Sequence, residues 1–274
     1  MNLFTDPLSA WRLPYRWLYP ADWCADSFHE RLELLRRHPE WRGDGNLLTD
    51  RAGKRVWRID FPPTESGTCS VACKLCDGRK PWRYIFDLSL PAREWRNYQA
   101  LHRLGLPAPE VLAYGETRRG WKLLRSFIIT RFIEGTRDGR DFMPEGRLRD
   151  RIDLRRRFCE LAAPHIATLH RNGFFHKALH VRNLLYRGET PEEMEVFFID
   201  VARSRIRCRG RMKHAALFDL YTPLRDLQLP AEESRAFLRA YLAAYPDSPF
   251  DAAELERRLR AFRRHGKTFD VIGV

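Results

Sequence analysis

His176-Lys177-Ala178-Leu179-His180-Val181-Arg182-Asn183 and, after a gap of short-loop length, Phe198-Ile199-Asp200 are the stretches on which the reading of this chain turns. Residues 196–201 form an apolar run broken only by Asp200, the pattern of a buried strand whose late carboxylate faces a cleft. An amide at 183 and a carboxylate at 200 can together hold Mg²⁺, a hard cation that takes oxygen ligands and bridges to substrate phosphates. Taken singly, Asn183 reads as a loop-capping amide and Asp200 as a strand-end turn former. Taken together they point to phosphoryl transfer.

Upstream, residues 152–172 place Phe158, Leu161, Ala162, His165, Ile166 and Leu169 on one helical face and stop at Gly173. Downstream, helices are expected near 231–244 and 251–264. The first half is β-prone: strands over 46–49, 55–61 and 68–75, a turn at 50–54, and further strands over 111–114 and 126–133. Between them a helix runs from Pro91 to about residue 104, with Trp95, Tyr98 and Leu101 on its stripe and Gly105 and Pro107 beyond its end. A Trp- and Arg-rich lead-in holds one expected amphipathic helix, 26–37.

On the strand at 68–75 the two-residue period sends Ala72 and Lys74 to one face, Val71 and Cys73 to the other. A small side chain leaves room for a flat base while a neighbouring ammonium reaches phosphate oxygens, and such a lysine needs a carboxylate to hold it; Glu94 is the candidate. Standing alone, the same tetrapeptide reads as a surface lysine on an edge strand.

Composition sets the bounds. The chain has 274 residues, 44% hydrophobic and 12% aromatic, which excludes disorder, and 49 basic against 36 acidic side chains give a net charge of +13. No apolar run is long enough to span a bilayer and residues 1–17 lack the order of a signal peptide, so a cytoplasmic location is expected. The six cysteines suit free thiols in a reducing compartment. Cys69, Cys73 and Cys76 read as small buried hydrophobes, because on a strand Cys76 faces away from the other two. Arg203, Arg205, Arg207, Arg209, Arg211 and Lys213 alternate; in an extended segment all would project to one side, either as a grip on an acidic saccharide or as a solvated face. No aromatic residue interrupts them, which argues against nucleic acid as a partner.

Asn172-Gly-Phe-Phe-His-Lys-Ala-Leu-His-Val-Arg-Asn-Leu-Leu-Tyr186, followed by Val196-Phe-Phe-Ile-Asp-Val-Ala-Arg-Ser204, resembles the bacterial lipopolysaccharide kinases, the InaA-like and Kdo or heptose kinases of the inner core. The resemblance covers about residues 45–245 and includes Pro91-Ala-Arg-Glu-Trp-Arg-Asn97 and Phe218-Asp-Leu220. It implies an α+β, two-lobed protein-kinase-like fold: an amphipathic extension over 1–44, a β-rich N-lobe over 45–133 and a helical C-lobe over 134–274. It further implies that Lys74 orients ATP phosphates, Glu94 pairs with it, Asn183 and Asp200 bind Mg²⁺, and Asp219 braces the loop before Asn183. Arg131 to Glu134 would be the hinge, so that Ala72, Lys74, Arg131 and Ile133 line the nucleotide. The implied activity is ATP-dependent phosphorylation of a sugar hydroxyl in lipopolysaccharide core oligosaccharide or a lipid-linked precursor, at the cytoplasmic face of the inner membrane. Peripheral contact with anionic lipid would suit the basic charge.

One position departs from the family. Kinases carry an aspartate five residues before the metal-binding asparagine, and here that residue is Ala178, which can neither accept a proton nor orient a hydroxyl. Three readings follow: an active sugar kinase with another base, a nucleotide-binding pseudokinase with a regulatory or scaffolding role, or a chain in which a natural aspartate was replaced. His180 and His176 are the substitute bases on offer, since imidazole is the usual proton acceptor near neutral pH. The phosphate-covering turn is also thin, with Gly53 as its single glycine.

Overall fold

The computed structural model describes residues 2–4, 17–19, 46–51, 53–64, 67–77, 88–119, 122–207, 212–264, 267–268 and 271. The helix expected at 26–37, together with Cys24, Cys208, Arg209 and Arg211, lies outside them. The architecture is α+β, an antiparallel-sheet region followed by a helical region, and the chain divides into two compact units. One comprises Met1–Tyr98 with Pro109–Glu134, the other Gln99–Ala108 with Gly135–Val274.

The first unit is built on five antiparallel strands: β1 (Asn46–Arg51), β2 (Lys54–Thr64), β3 (Gly67–Asp77), β4 (Val111–Arg119) and β5 (Lys122–Arg131), in spatial order β1-β2-β3-β5-β4. The strands run longer than the propensity runs that announce them, because pairing carries the ladder through polar residues at each end. Gly53 sits in the β1–β2 turn at φ +81°, which suits a glycine. β3 is central, and Val71, Cys73, Leu75 and Cys76 are all buried on it. Cys73, Cys76 and, in the second unit, Cys159 are free thiols; burial pushes those of Cys73 and Cys159 up to about 12.

Helix α1 (Leu90–Arg103) starts where the Ser89 side chain accepts the Ala92 N–H at 3.2 Å and packs through Trp95, whose ring stacks on Tyr114 of β4 at 4.8 Å. It ends in a glycine cap: Gly105, at φ +68°, bonds His102 O, and Leu106 N–H bonds Leu101 O at 3.0 Å.

In the second unit α2 (Ile152–Arg171) buries Leu154, Phe158, Ala162, Ile166 and Leu169 along one face. It is tied to α4 (Ala231–Ala243) by a nearly buried, two-pronged pair: Arg155 donates to both carboxylate oxygens of Glu233 at 2.9 and 3.0 Å. A short hairpin, β8 (Leu184–Arg187) with β9 (Glu195–Phe198), is flanked by β6 (Arg137–Asp138) and follows the strand β7 (Phe174–Phe175), and β7 itself pairs with β10 (Arg205–Ile206). Between α2 and β7, Gly173 lies at φ +71°, and Arg207 N–H donates to its carbonyl at 2.7 Å.

Three expectations are corrected and one helix is added. The strand expected over 196–201 ends at Phe198, since Ile199 turns to bond Asn183 and Asp200 adopts φ +57°. Among its described residues the arginine comb is not one extended segment: residues 201–203 form a single 3₁₀ turn, 205–206 a two-residue strand, and Lys213 lies on a helix. That helix, α3 (Met212–Leu227), has no counterpart among the expected elements. The last helix, α5 (Ala252–Arg260), stops four residues before the expected 264, because Arg263–Arg264 pairs instead with Lys267–Thr268.

A Cβ at Gly173 would stand 2.4 Å from Arg207 O, whereas at Gly105 it would meet nothing within 4 Å. Both alanine variants take the left-handed penalty of about 1–2 kcal/mol. Gly173→Ala is expected to lose clearly more unfolding free energy in urea than Gly105→Ala; equal losses would refute the close approach of residue 207.

Candidate functional site

In the first unit, the alternation of β3 puts Lys74 on the face that α1 covers. Its Nζ donates to both carboxylate oxygens of Glu94, at 2.9 and 2.7 Å, with side chains only 11% and 4% exposed. Tyr98, one turn on, reaches Glu94 Oε1 at 3.5 Å. A pair so removed from water is held by geometry: deleting one partner strands a buried charge. Ala72, on the same strand face, is half-buried between Arg58 and Thr130 of the flanking strands. Arg131, at the end of β5, bonds Glu110 at 2.9 Å, and Ile133 lies just beyond, partly exposed.

In the second unit the functional stretch is a loop held by its own backbone. Asp219 of α3 is fully buried; one carboxylate oxygen accepts His176 N–H at 2.7 Å and the other Lys177 N–H at 2.9 Å. Those bonds hold Lys177 at φ +66°, a left-handed conformation that lysine rarely adopts. Behind Asp219 stands His170, 3.4 Å from its Oδ2 and 3.0 Å from the Tyr241 hydroxyl. Ser204 Oγ donates to His176 O at 3.1 Å.

The next turn is held by a second carboxylate of the same helix. Asp226 Oδ2 lies 2.9 Å from His180 Nδ1 and accepts Val181 N–H at 3.3 Å, while Arg225 bonds its other oxygen. Burial raises the Asp226 carboxyl, but the hydrogen bonds from His180 and Arg225 outweigh it and hold the group below the usual carboxylate range. Asp219 and Asp226 are seven residues apart, two helical turns, and so share one face of α3. The sequence carried that spacing, yet it meant nothing until residues 212–227 were known to be helical. Asp226, His170, Tyr241 and Ser204 are the residues that motif reasoning overlooked.

Asn183 Nδ2 donates to Ala178 O at 2.7 Å, and Asn183 O accepts Ile199 N–H at 3.0 Å. The first bond occupies the amide nitrogen; the second sets Asp200 one residue beyond Asn183's partner. Leu184 is in register with Phe198, so Asn183 and Asp200 stand together at one end of the β8–β9 hairpin. Their two oxygen-bearing side chains have the hard-donor chemistry that Mg²⁺ takes. Ala178 is half-buried among these groups and adds no polar atom.

The two histidines differ. His176 is fully buried, its ring 6.1 Å from that of Phe198, and burial pushes its pKa down against the pull of Asp219 and Asp200. That is a packing position. His180 is partly exposed, with one ring nitrogen engaged by Asp226. Among the described residues no cluster of three or more His, Cys, Asp or Glu offers a further metal site, and no helix is long and apolar enough to cross a membrane.

Among curated proteins, the lipopolysaccharide core heptose(I) kinase WaaP of Pseudomonas aeruginosa is 27% identical over 155 residues, covering 54% of this chain and 58% of that protein. The chain thus matches a little over half the length of that relative. Among solved structures, WaaP in complex with acyl carrier protein superposes with a TM-score of 0.61 at 20% identity, over 88% of this chain and 92% of that one, which shows a shared kinase-like fold. Residues 78–241 match the profile of the lipopolysaccharide kinase (Kdo/WaaP) family, and with more than half its length inside that match this chain belongs to the family.

Proposed function

We propose that the protein is an ATP-dependent kinase that phosphorylates a sugar hydroxyl, of heptose or Kdo, in the lipopolysaccharide inner core. Residues 45–133 and 134–274 serve as its N- and C-lobes, with 1–44 as an extension. Core oligosaccharide or a lipid-linked precursor is the acceptor, met at the cytoplasmic side of the inner membrane, where the net charge of +13 favours peripheral contact with anionic lipid.

The observation that carries this reading is the bracing of the loop around Ala178. Asp219, Asp226, Ser204 and Asn183 all spend side-chain hydrogen bonds on its backbone or flanks, although residue 178 has no functional group to position. What the bracing does position is Asn183 and Asp200. Lys74, held by Glu94, would orient the nucleotide phosphates; Ala72 would leave space for the base, with Arg131 and Ile133 beside it. Asn183 and Asp200 would hold Mg²⁺, which when bound neutralises charge developing on the transferred phosphoryl group. The acceptor oxygen attacks the γ-phosphorus, the bond from that phosphorus to the bridging oxygen breaks to release ADP, and the hydroxyl proton passes to water or to the transferred phosphate in place of an aspartate. General-base help is worth about 10²–10⁴-fold, while positioning and electrostatics supply most of phosphoryl-transfer catalysis, so the expected enzyme is slow.

Incubation with Mg²⁺-ATP and dephosphorylated core oligosaccharide is expected to add one phosphate by mass, and Asp200→Asn and Lys74→Ala to abolish the gain. Because Lys74→Ala strands Glu94, melting curves accompany it. If the parent transfers nothing, the kinase reading of this sequence falls.

Ala178 favours a second reading, a nucleotide-binding pseudokinase. Ala178→Asp separates the two. A kinase lacking only its base should gain about 10²-fold or more in kcat. A pseudokinase should show ATP-dependent stabilisation with no transfer before or after the substitution.

A further inference from the structure

Immediately after Asp200 the chain makes one 3₁₀ turn and then runs antiparallel to the strand that leads into the Ala178 loop. Arg205 is paired with Phe175 and Ile206 with Phe174. Three contacts press this segment onto the loop's base. Ser204 Oγ bonds His176 O at 3.1 Å, Arg207 N–H bonds Gly173 O at 2.7 Å, and the Arg207 guanidinium lies 5.3 Å from the centre of the Phe175 ring. With Ser204 buried and Arg207 drawn over an aromatic face, Arg203 and Arg205 are left exposed on either side of the anchoring serine.

Most of the described arginines of this unit have a carboxylate: Arg140 has Asp138, Arg155 has Glu233, Arg235 has Glu256. Arg203 and Arg205 have none among the described residues. Two such guanidiniums, one on the 3₁₀ turn and one on the paired strand beside the loop, are suited to anions, since each can take a phosphate or carboxylate through two parallel N–H donors. They stand on Asp200's own segment, which pairs with the strand that leads into residues 176–178 and bonds His176 through Ser204.

We infer that Arg203 and Arg205 form an anion subsite that selects an acceptor already carrying a phosphate or carboxylate group near the reacting hydroxyl. The inference rests on the kinase reading for the place of that hydroxyl, and it assigns specificity to two residues outside the metal and nucleotide groups. The anion belongs to the acceptor saccharide. A lipid headgroup shares its chemistry and is distinguished in the test.

Binding without turnover keeps the two questions apart. Calorimetry compares acidic core oligosaccharide with the same oligosaccharide made neutral by dephosphorylation and carboxyl reduction. The parent should bind the acidic form at least about 10-fold more tightly, as expected when two charge-assisted bidentate contacts are lost. Arg203→Gln with Arg205→Gln should remove that preference and leave the ATP-induced rise in melting temperature intact. Arg239→Gln, at an exposed arginine of α4, should change neither. Equal binding of both oligosaccharides by the parent, binding of neither, or an equal loss in Arg239→Gln overturns the inference. So does a double variant that keeps the oligosaccharide preference while losing sedimentation with phosphatidylglycerol vesicles, which would assign the arginines to lipid. Absence of phosphoryl transfer alongside an intact arginine-dependent preference counts against the kinase reading and not against the subsite.

Discussion

A single buried carboxylate organises the second unit. Asp219 has no exposed surface, so its charge must be met inside the protein, and two consecutive backbone N–H groups, those of His176 and Lys177, meet it. Two donors on adjacent residues can converge on one carboxylate only if the chain curls into a concave turn, and the cost appears as the left-handed Lys177. The direction of everything from 178 to 183 follows from that curl, and Asn183 then closes the loop by bonding back to Ala178 O.

The same logic explains why α3 is buried so thoroughly. Met212, Ala215, Ala216, Leu217, Leu220, Tyr221 and Leu224 are all inside, and two of its acids point at the loop. A helix surrounded on most sides has no polar stripe to betray its period, and Pro223 within it looks like a terminator. Sequence reading therefore passed over it. The alternating arginines just before it suggested an extended chain, whereas local pairing with β7 ends after Ile206. By contrast α2 and α4, each with one solvent face, were legible to within a residue at either end, 152–172 against Ile152–Arg171 and 231–244 against Ala231–Ala243. Amphipathic periodicity reports half-buried helices and is silent on buried ones.

Legibility of the site divides in the same way. Lys74 and Glu94 could be matched because a strand and the helix after it each have a fixed face, and a buried ammonium needs a carboxylate within reach. Asn183 and Asp200 could be matched by motif. The left-handed backbone at Asp200 and the Asp226–His180 contact could not, since both depend on where a helix far along the chain comes to rest.

The strain also bears on what Ala178 means. Left-handed residues other than glycine cost about 1–2 kcal/mol each, and two of them, Lys177 and Asp200, persist here. A loop relieved of positioning anything would be expected to relax, letting Lys177 return to ordinary backbone and leaving Asp219 to find other donors. It has not relaxed, because Asp219 is itself buried and would lose both partners at once. The geometry of the loop is thus fixed by a carboxylate behind it, independent of the side chain at 178. Alanine at 178, which offers no proton acceptor, therefore leaves the amide at 183 and the carboxylate at 200 where the backbone puts them.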